Sequence, residues 1–193
     1  MNSVAVFCGS NSGLRPEYAQ AAKNLAGELV ARNICLVYGG GNIGLMGIIA
    51  DEVMNAGGAV VGIIPDSLDN REVGHRGITE LKVVGSMHER KALMAELADG
   101  FVAMPGGIGT FEEFFEILTW AQLGFHEKPC GLLNVAGYYD GLLALCDNAV
   151  AQGFLRSVHR RLILDESEST VLLERMADYK PEKIEKWLDR DDL

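Results

Sequence analysis

Short apolar runs alternate along the chain with longer segments in which apolar side chains recur every three or four positions. The short runs are typical of buried strands, and the longer segments are typical of amphipathic helices that cover a sheet. The predicted strands are Val4–Cys8, Ile34–Tyr38, Ala59–Ile64, Leu81–Val84, Gly100–Met104, Cys130–Asn134 and Leu162–Leu164.

Helical patterns occupy most of the connections between these strands. Pro16 suits the first turn of the first helix, because its missing N–H would have no partner there. The alternation predicts a doubly wound α/β fold, in which helices cover both faces of a parallel sheet. The 193 residues show no linker or internal repeat, so we expect a single domain over residues 1–193. The predicted helices are Pro16–Arg32, Gly44–Asn55, Met87–Asp99, Phe111–Leu123, Tyr139–Gln152, Glu168–Met176 and Pro181–Leu188.

Three polar, glycine-rich turns each follow a predicted strand. The first contains Gly9 and Ser10, the second contains Gly40 and Gly41, and the third runs from Pro105 to Gly109. The carboxyl ends of parallel strands lie at one edge of a sheet, so these turns should form one ligand site. Glycine lets the backbone approach a phosphate, and the N–H groups that open a helix point toward such an anion. The turns match neither a Walker A sequence nor a dinucleotide fingerprint in its usual place.

The third turn leads into a helix whose first residues include Glu112 and Glu113. A carboxylate beside a phosphate site is repelled by the ligand unless it takes part in the chemistry. Glu113 therefore indicates a reaction next to a phosphate. A second interpretation stays open, because Thr110 and Glu113 have the spacing of a capping box, in which each side chain bonds to the other residue's backbone N–H.

A charged cluster from Met87 to Lys91 opens the helix that precedes the third turn. Ser86 is placed to cap this helix, with Glu89 as its capping-box partner. Arg90 and Lys91 could face a phosphorylated substrate, for which the fixed fork of arginine donors is suited. The alternative is that both cations lie on a solvated helix face.

Bulk properties exclude several classes of partner. A net charge of −10 with a pI near 4.8 disfavours nucleic acids, whose phosphates would be repelled. No apolar run is long enough to cross a membrane, and the N-terminus has no basic flank. We therefore expect neither a membrane partner nor a signal peptide.

Cysteine and histidine positions predict a reducing, cytoplasmic environment without a metal site. The cysteines lie far apart, lack the spacing of zinc or redox motifs, and are expected to be buried free thiols. Histidines and carboxylates also lack ligand spacing, so we expect no metal and no cofactor. The cysteines are Cys8, Cys35, Cys130 and Cys146.

Four motifs together resemble one enzyme family. The run from Pro105 to Glu113 matches the Pro-Gly-Gly-x-Gly-Thr-x-x-Glu signature of the Lonely Guy family, the cytokinin riboside 5′-monophosphate phosphoribohydrolases. The run from Met87 to Lys91 resembles that family's Met-His-x-Arg-Lys motif, and the turns at Gly9 and Gly40 resemble its other turns. The resemblance covers nearly the whole chain. It implies a Rossmann-like fold, a homodimer, and hydrolysis of the N-glycosidic bond of N6-substituted adenosine 5′-monophosphates, which releases free base and ribose 5-phosphate.

The same resemblance implies that Arg90 and Glu113 are the catalytic pair. Loss of a purine leaves an oxocarbenium-like ribosyl centre, which a carboxylate can stabilise while it activates water. The arginine is too basic to donate a proton readily, so it would orient the carboxylate and the phosphate. By family position and by the turns, the substrate-binding residues are Ser10, Gly40, Gly41, Glu72, Arg90, Lys91, Gly107, Ile108, Gly109, Thr110, Phe111, Glu112, Glu113 and Thr119.

Two of these positions fit the sequence pattern less well. Thr119 lies two helical turns along the helix and does not share the face of Glu113. Glu72 lies in the long polar connection from Asp66 to Thr79, which is expected to be functional or mobile. Apolar residues such as Met87 and Trp120 could line the base pocket.

Other functions and assemblies stay open at this point. An AMP nucleosidase would differ only around the purine N6, and a molybdenum-cofactor carrier would share the fold and much of the glycine-rich turn. A lysine decarboxylase is not supported, since no lysine stands in a recognisable pyridoxal-phosphate context. The helix Phe111–Leu123 is apolar over more than one stripe, which predicts either a homodimer interface or burial on both sides within one subunit.

Overall fold

The structure is a computed structural model that describes residues 1–69 and 74–181. Strands and helices alternate along these residues, with a short 3-10 turn at Val135–Gly137. The strands are β1 (Ser3–Phe7), β2 (Cys35–Tyr38), β3 (Val60–Pro65), β4 (Glu80–Val84), β5 (Phe101–Ala103), β6 (Cys130–Leu133) and β7 (Ile163–Glu166). The helices are α1 (Pro16–Ala31), α2 (Gly44–Asn55), α3 (Asp66–Asp69), α4 (Met87–Leu97), α5 (Ile108–Gln122), α6 (Asp140–Ala151), α7 (Ser157–Arg160) and α8 (Ser169–Ala177).

The described strands form one parallel sheet in the order β4-β3-β2-β1-β5-β6-β7. The chain builds outward from β1 to β4 and then returns to place β5 on the other side of β1. The strand order therefore reverses between β1 and β5. Open α/β sheets bind ligands at the carboxyl ends of the strands beside such a reversal. The doubly wound fold that the sequence predicts is confirmed.

Alternating side chains of β1 divide the core into two layers. Val4 and Val6 pack with α1, α2 and α8, whereas Ala5 and Phe7 pack with α4, α5 and α6 on the opposite face. Coverage on both faces explains why the central strands are apolar at successive positions and not at alternate ones.

The predicted strands and helices from Val4 to Met176 agree with the described ones to within two residues at their ends, except at the start of α5. The short helices α3 and α7 were not predicted. Helix α5 begins at Ile108 with Gly107 as its N-cap, so Thr110 lies inside the first turn. The capping-box interpretation of Thr110 and Glu113 is therefore wrong, because the cap position belongs to a residue without a side chain. Glycine is a poor helix former, and two glycines hid this helix start in the sequence.

Ser86 caps α4, as the sequence predicts. Its hydroxyl accepts a hydrogen bond from the Glu89 N–H at 3.1 Å. The Glu89 carboxylate accepts a hydrogen bond from the Gly85 N–H at 2.9 Å. In a standard capping box the donor would be the N–H of Ser86, the next residue. This double cap fixes the helix end that carries Arg90 and Lys91.

Two predicted segments fall partly or wholly outside the described residues. The long connection after β3 contains the short helix α3, which the sequence did not predict, and Glu72 lies outside the described residues. Of the predicted helix Pro181–Leu188, only Pro181 is among the described residues.

Over residues 1–69 and 74–181, no helix is both long and apolar enough to pass through a membrane. All four cysteines are free thiols, as expected. Cys8, Cys130 and Cys146 are buried, whereas Cys35 is half-buried.

Candidate active site

A cavity of about 500 Å³ opens at the carboxyl edge of the sheet, beside the reversal of strand order. The glycine-rich turns meet there: the Gly9 N–H donates to the Pro105 carbonyl at 3.0 Å, and the Leu45 N–H donates to the Gly9 carbonyl at 3.0 Å. The prediction that the turns share one edge is confirmed. The cavity is lined by Val6, Phe7, Cys8, Gly9, Ser10, Gly39, Gly41, Ile43, Met46, Ile64, Leu68, Met87, Arg90, Gly107, Ile108, Gly109, Thr110, Glu112 and Glu113.

Arg90 of α4 and Glu113 of α5 form a buried ion pair on the wall of this cavity. Arg90 Nη1 lies 2.9 Å from Glu113 Oε1, and the two side chains are only 9% and 10% exposed. Arg90 Nε also donates to the carbonyl of Ile63 in β3 at 3.1 Å. Gly39 lies so close to the guanidinium that a Cβ there would be 1.9 Å from Arg90 Nη2. These neighbours hold the guanidinium in one orientation against Glu113.

Burial raises the pKa of the Glu113 carboxyl above its ordinary value, and the Arg90 guanidinium partly offsets this shift. A carboxylate with a raised pKa accepts a proton from water more readily than an exposed one. Burial likewise raises the pKa of the Cys8 thiol, and the charge of Glu113 adds to that shift. The thiol on the cavity wall is therefore neutral at physiological pH.

The first turn of α5 has the features that an anion site needs, and its role as one stays a prediction. Its N-cap, Gly107, offers no side-chain bond, and the first N–H groups of a helix have no partner within it. Gly107, Gly109 and Thr110 line the cavity together with Ser10 and Gly41 from the other turns. A phosphate bound here would accept from backbone N–H groups and be stabilised by the helix dipole.

Lys91 pairs with carboxylates of α5. Its Nζ contacts Glu112 Oε1 and lies 3.0 Å from Glu116 Oε2, and its side chain is 9% exposed. Among the described residues it is not one of those that line the cavity. A contact between Lys91 and the substrate phosphate stays a prediction, whereas the observed pairs show that this lysine joins α4 to α5.

Three other predicted site residues, Gly40, Phe111 and Thr119, are not among the described residues that line the cavity. Gly40, with a left-handed φ of +73°, supports the turn behind its neighbour Gly41. Phe111 packs against the two tyrosines that precede α6. Thr119 is exposed, and its hydroxyl donates to a carbonyl of its own helix at 2.7 Å. Glu72 lies outside the described residues.

Sequence reasoning missed much of the apolar part of the site. Ile43 and Leu68, which the sequence did not single out, line the cavity although their side chains are exposed. Ile108, which was among the predicted site residues, lines it as well. Large apolar residues beside glycine-rich turns were the available signal. Met87 lines the cavity as the sequence suggested, whereas Trp120 packs beside the core that α4, α5 and α6 form on the sheet.

No group of three or more His, Cys, Asp or Glu side chains within the described ranges is arranged to hold a metal ion.

Comparison with known proteins identifies close relatives. A family model described as "Possible lysine decarboxylase" matches residues 46–176. The probable cytokinin riboside 5′-monophosphate phosphoribohydrolase LOGL9 of Oryza sativa subsp. japonica is 54% identical over 178 residues, which cover 92% of this chain and 78% of the relative. The cytokinin riboside 5′-monophosphate phosphoribohydrolase LOG7 of Arabidopsis thaliana is 50% identical over 179 residues, which cover 93% of this chain and 82% of the relative.

Solved structures with the same fold are more distant in sequence. The molybdenum cofactor binding protein of Rippkaea orientalis matches with a TM-score of 0.68 and 20% identity, over 91% of this chain and 95% of that one. The molybdenum cofactor carrier protein of Chlamydomonas reinhardtii matches with a TM-score of 0.69 and 18% identity, over 92% of this chain and 98% of that one. At these identities the likeness concerns the fold alone.

Proposed function

The chain belongs to the Lonely Guy family of cytokinin riboside 5′-monophosphate phosphoribohydrolases, and from this membership we infer its reaction. It is a hydrolase that cleaves the N-glycosidic bond of a cytokinin riboside 5′-monophosphate and releases the free base and ribose 5-phosphate. We propose that Arg90 and Glu113 catalyse this step and that the N-terminus of α5 binds the 5′-phosphate.

The observation behind this assignment is the buried Arg90–Glu113 pair beside the open N-terminus of α5. Glu113 lies in the second turn of the same helix whose first residues line the cavity. One helical turn spans about 5.4 Å, which suits the distance from a 5′-phosphate to the sugar centre of the same nucleotide. The carboxylate and the anion site can therefore act on one substrate.

In the proposed reaction the bond between ribose C1′ and the purine nitrogen breaks, and its electron pair leaves with the base. The Glu113 carboxylate stabilises the positive charge on the ribose and accepts a proton from water, whose oxygen forms the new bond to C1′. The departing base takes up a proton from solvent, and Glu113 later releases its proton to solvent, so the products are neutral base and ribose 5-phosphate. Arg90 orients the carboxylate and keeps it ionised, because its charge lowers the pKa that burial raises.

Substrate range follows from the two ends of the cavity. One helix N-terminus with short glycine turns encloses a single phosphate, so 5′-monophosphates should be preferred over di- and triphosphates. At the mouth, the exposed apolar side chains of Ile43, Leu68, Met87 and Ile108 would cover an apolar N6 substituent. We propose that AMP also binds, but less tightly than its N6-prenyl derivative.

We also propose a homodimer that works in the cytoplasm. In α5, Phe114, Ile117 and Ala121 are buried, whereas Leu123 and the following Phe125 are exposed and could pair with a second copy. Free thiols at all four cysteines fit a reducing compartment.

Incubation of the purified protein with N6-isopentenyl-AMP, AMP and the two matching nucleosides tests this function. We expect base and ribose 5-phosphate in equal amounts, with N6-isopentenyl-AMP cleaved fastest and the nucleosides cleaved poorly. Equal rates for nucleosides and nucleotides would contradict the phosphate site. Faster cleavage of AMP would indicate an AMP nucleosidase, and binding without base release would indicate a carrier.

A further inference from the structure

Two adjacent tyrosines at the start of α6 lie against the back of the third glycine-rich turn. The Tyr139 hydroxyl donates to the carbonyl of Met104 at 2.6 Å, and the Tyr138 hydroxyl donates to the carbonyl of Gly106. Tyr139 is fully buried, whereas Tyr138 is 37% exposed. The two hydroxyls therefore hold carbonyls on both sides of Pro105, at the point where β5 turns into the phosphate site.

The backbone around these tyrosines is itself constrained. Asn134 Oδ1 accepts a hydrogen bond from the Tyr139 N–H at 2.7 Å. Ala136 and Gly137 both have left-handed φ values, 53° and 73°, which reverse the chain between β6 and α6. The ring of Tyr138 meets the ring of Tyr139 edge-on at 5.1 Å. The hydroxyls are thus presented by a fixed structure and not by a loose side chain.

The Tyr138 contact has a geometric consequence for the anion site. A trans peptide unit points its carbonyl and its N–H in opposite directions. The Gly106 carbonyl belongs to the same peptide unit as the Gly107 N–H, so the tyrosine directs that N–H away from itself. Gly107 is the N-cap of α5 and lines the cavity. Tyr138 is not among the described residues that line this cavity.

We propose that Tyr138 and Tyr139 are positioning residues for the substrate phosphate. Tyr138 fixes the direction of the Gly107 N–H, and Tyr139 fixes the strand end that precedes Pro105. Neither side chain touches the substrate; both act through the backbone of the turn. Donors that are already oriented bind an anion without the cost of ordering them. This inference rests on the proposed function in one respect, namely that the N-terminus of α5 receives the 5′-phosphate.

The variant Tyr138→Phe removes the hydroxyl and keeps the ring. We expect the KM for N6-isopentenyl-AMP to rise about tenfold, the change that a loss of about 1.4 kcal/mol produces, with little change in kcat. The kcat/KM for the nucleoside, which has no phosphate, should not change. Calorimetric affinity for ribose 5-phosphate should weaken by the same factor as KM. Tyr18→Phe is the matched control, because it removes a hydroxyl from the neighbouring ring, which packs edge-on against Tyr138 at 5.8 Å. This variant should behave as the wild type.

An unchanged KM and ribose 5-phosphate affinity in Tyr138→Phe would overturn the proposal. Equal losses for nucleotide and nucleoside would also overturn it, since they would indicate general damage to the site. Tyr139→Phe should show the same selective loss together with a lower Tm, because the buried Met104 carbonyl loses its donor. If the wild type released no base at all, the proposed function would fail, while the ribose 5-phosphate titrations would still decide the role of the tyrosines.

Discussion

The Arg90–Glu113 contact joins two charges that neither residue could bury alone. Removal of one partner from a buried ion pair typically destabilises a protein by about 3–5 kcal/mol, because the other charge stays without compensation. The arginine is held in addition by the Ile63 carbonyl and by close contact with Gly39. The pair is therefore fixed before substrate arrives. Burial raises the pKa of Glu113, and the charge of Arg90 lowers it in part.

Arg90→Met keeps much of the side-chain volume and removes the charge. Burial already raises the pKa of Glu113, and loss of the arginine raises it further, so the carboxylate becomes protonated at higher pH. In the proposed reaction the ionised carboxylate is the active form, so we expect kcat to fall by on the order of 10²-fold. As the pH is lowered, the remaining activity should be lost at a higher pH than in the wild type. A pH profile of kcat measures this. An acid limb at the wild-type position would contradict control of Glu113 by Arg90.

Gly39→Ala tests the position of Arg90 without altering a charged group. The new Cβ would lie 1.9 Å from Nη2, so the guanidinium must leave its place beside Glu113. We expect a large drop in kcat with the fold retained in circular dichroism. Gly27→Ala is the control, because a Cβ there has no neighbour within 4 Å, and in α1 it should raise stability by about 1 kcal/mol. Full activity in Gly39→Ala would show that a fixed guanidinium is not needed.

Single residues of the site were predictable to different degrees. The spacing from Pro105 to Glu113 led to the carboxylate that lies on the cavity wall. Gly39, in contrast, carried no chemical group that could mark it as a contact of Arg90. The same holds for Tyr138 and Tyr139, whose hydroxyls reach the turn only after α6 folds beside β5. Contacts made through space by distant segments leave no local pattern in a sequence.

At the scale of elements, α4 and α5 are joined by charged side chains at the edge of the site. Arg90 meets Glu113, and Lys91 meets Glu112 and Glu116. Both helices were predictable from the sequence, α4 with the help of its Ser86 cap. The pairing of their charges depends instead on how the helices lie against each other. Glycines at the start of α5 also hid its first turn, which is the part that we propose binds the 5′-phosphate.

Lys91→Met removes the charge that ties α5 to α4. Loss of hydrogen bonds to charged groups costs roughly 1.5–3 kcal/mol, so we expect a lower free energy of unfolding. We also expect a lower kcat with both the nucleotide and the nucleoside, since Glu113 lies between the two glutamates that Lys91 holds. Steady-state kinetics and urea unfolding measure these effects, and the exposed Lys23→Met provides the control. A rise in KM for the nucleotide alone would instead place Lys91 on the phosphate.

At the scale of the whole molecule, the reversal of strand order beside β1 places the site. The sequence identified the strands but not their neighbours, because an apolar run does not specify which strand lies beside it. The shared edge of the three turns was nevertheless predictable, since carboxyl ends of parallel strands meet at one edge whatever their order. The regular βα connections thus gave the location of the site without the detailed topology.

Association of two copies is a prediction at the same scale. Leu123 and Phe125 are 55% and 73% exposed at the end of α5, where a second copy would cover them. Light scattering should give a mass near that of two 20.9 kDa chains, and Leu123→Asp should reduce it toward one. Val171→Asp, on α8 at the other face of the sheet, is the matched control and should leave the mass unchanged. A wild-type protein that is monomeric at micromolar concentration would contradict the dimer.

Comparison of base release by Glu113→Gln and by the wild type shows whether Glu113 is the catalytic carboxylate. Glutamine keeps the shape of the side chain and can still accept a hydrogen bond from Arg90, but it has neither charge nor basicity. With saturating N6-isopentenyl-AMP, we predict that base release falls by about 10²-fold or more, while calorimetry shows nucleotide affinity close to that of the wild type. Base release near the wild-type rate would show that Glu113 is not the catalytic carboxylate.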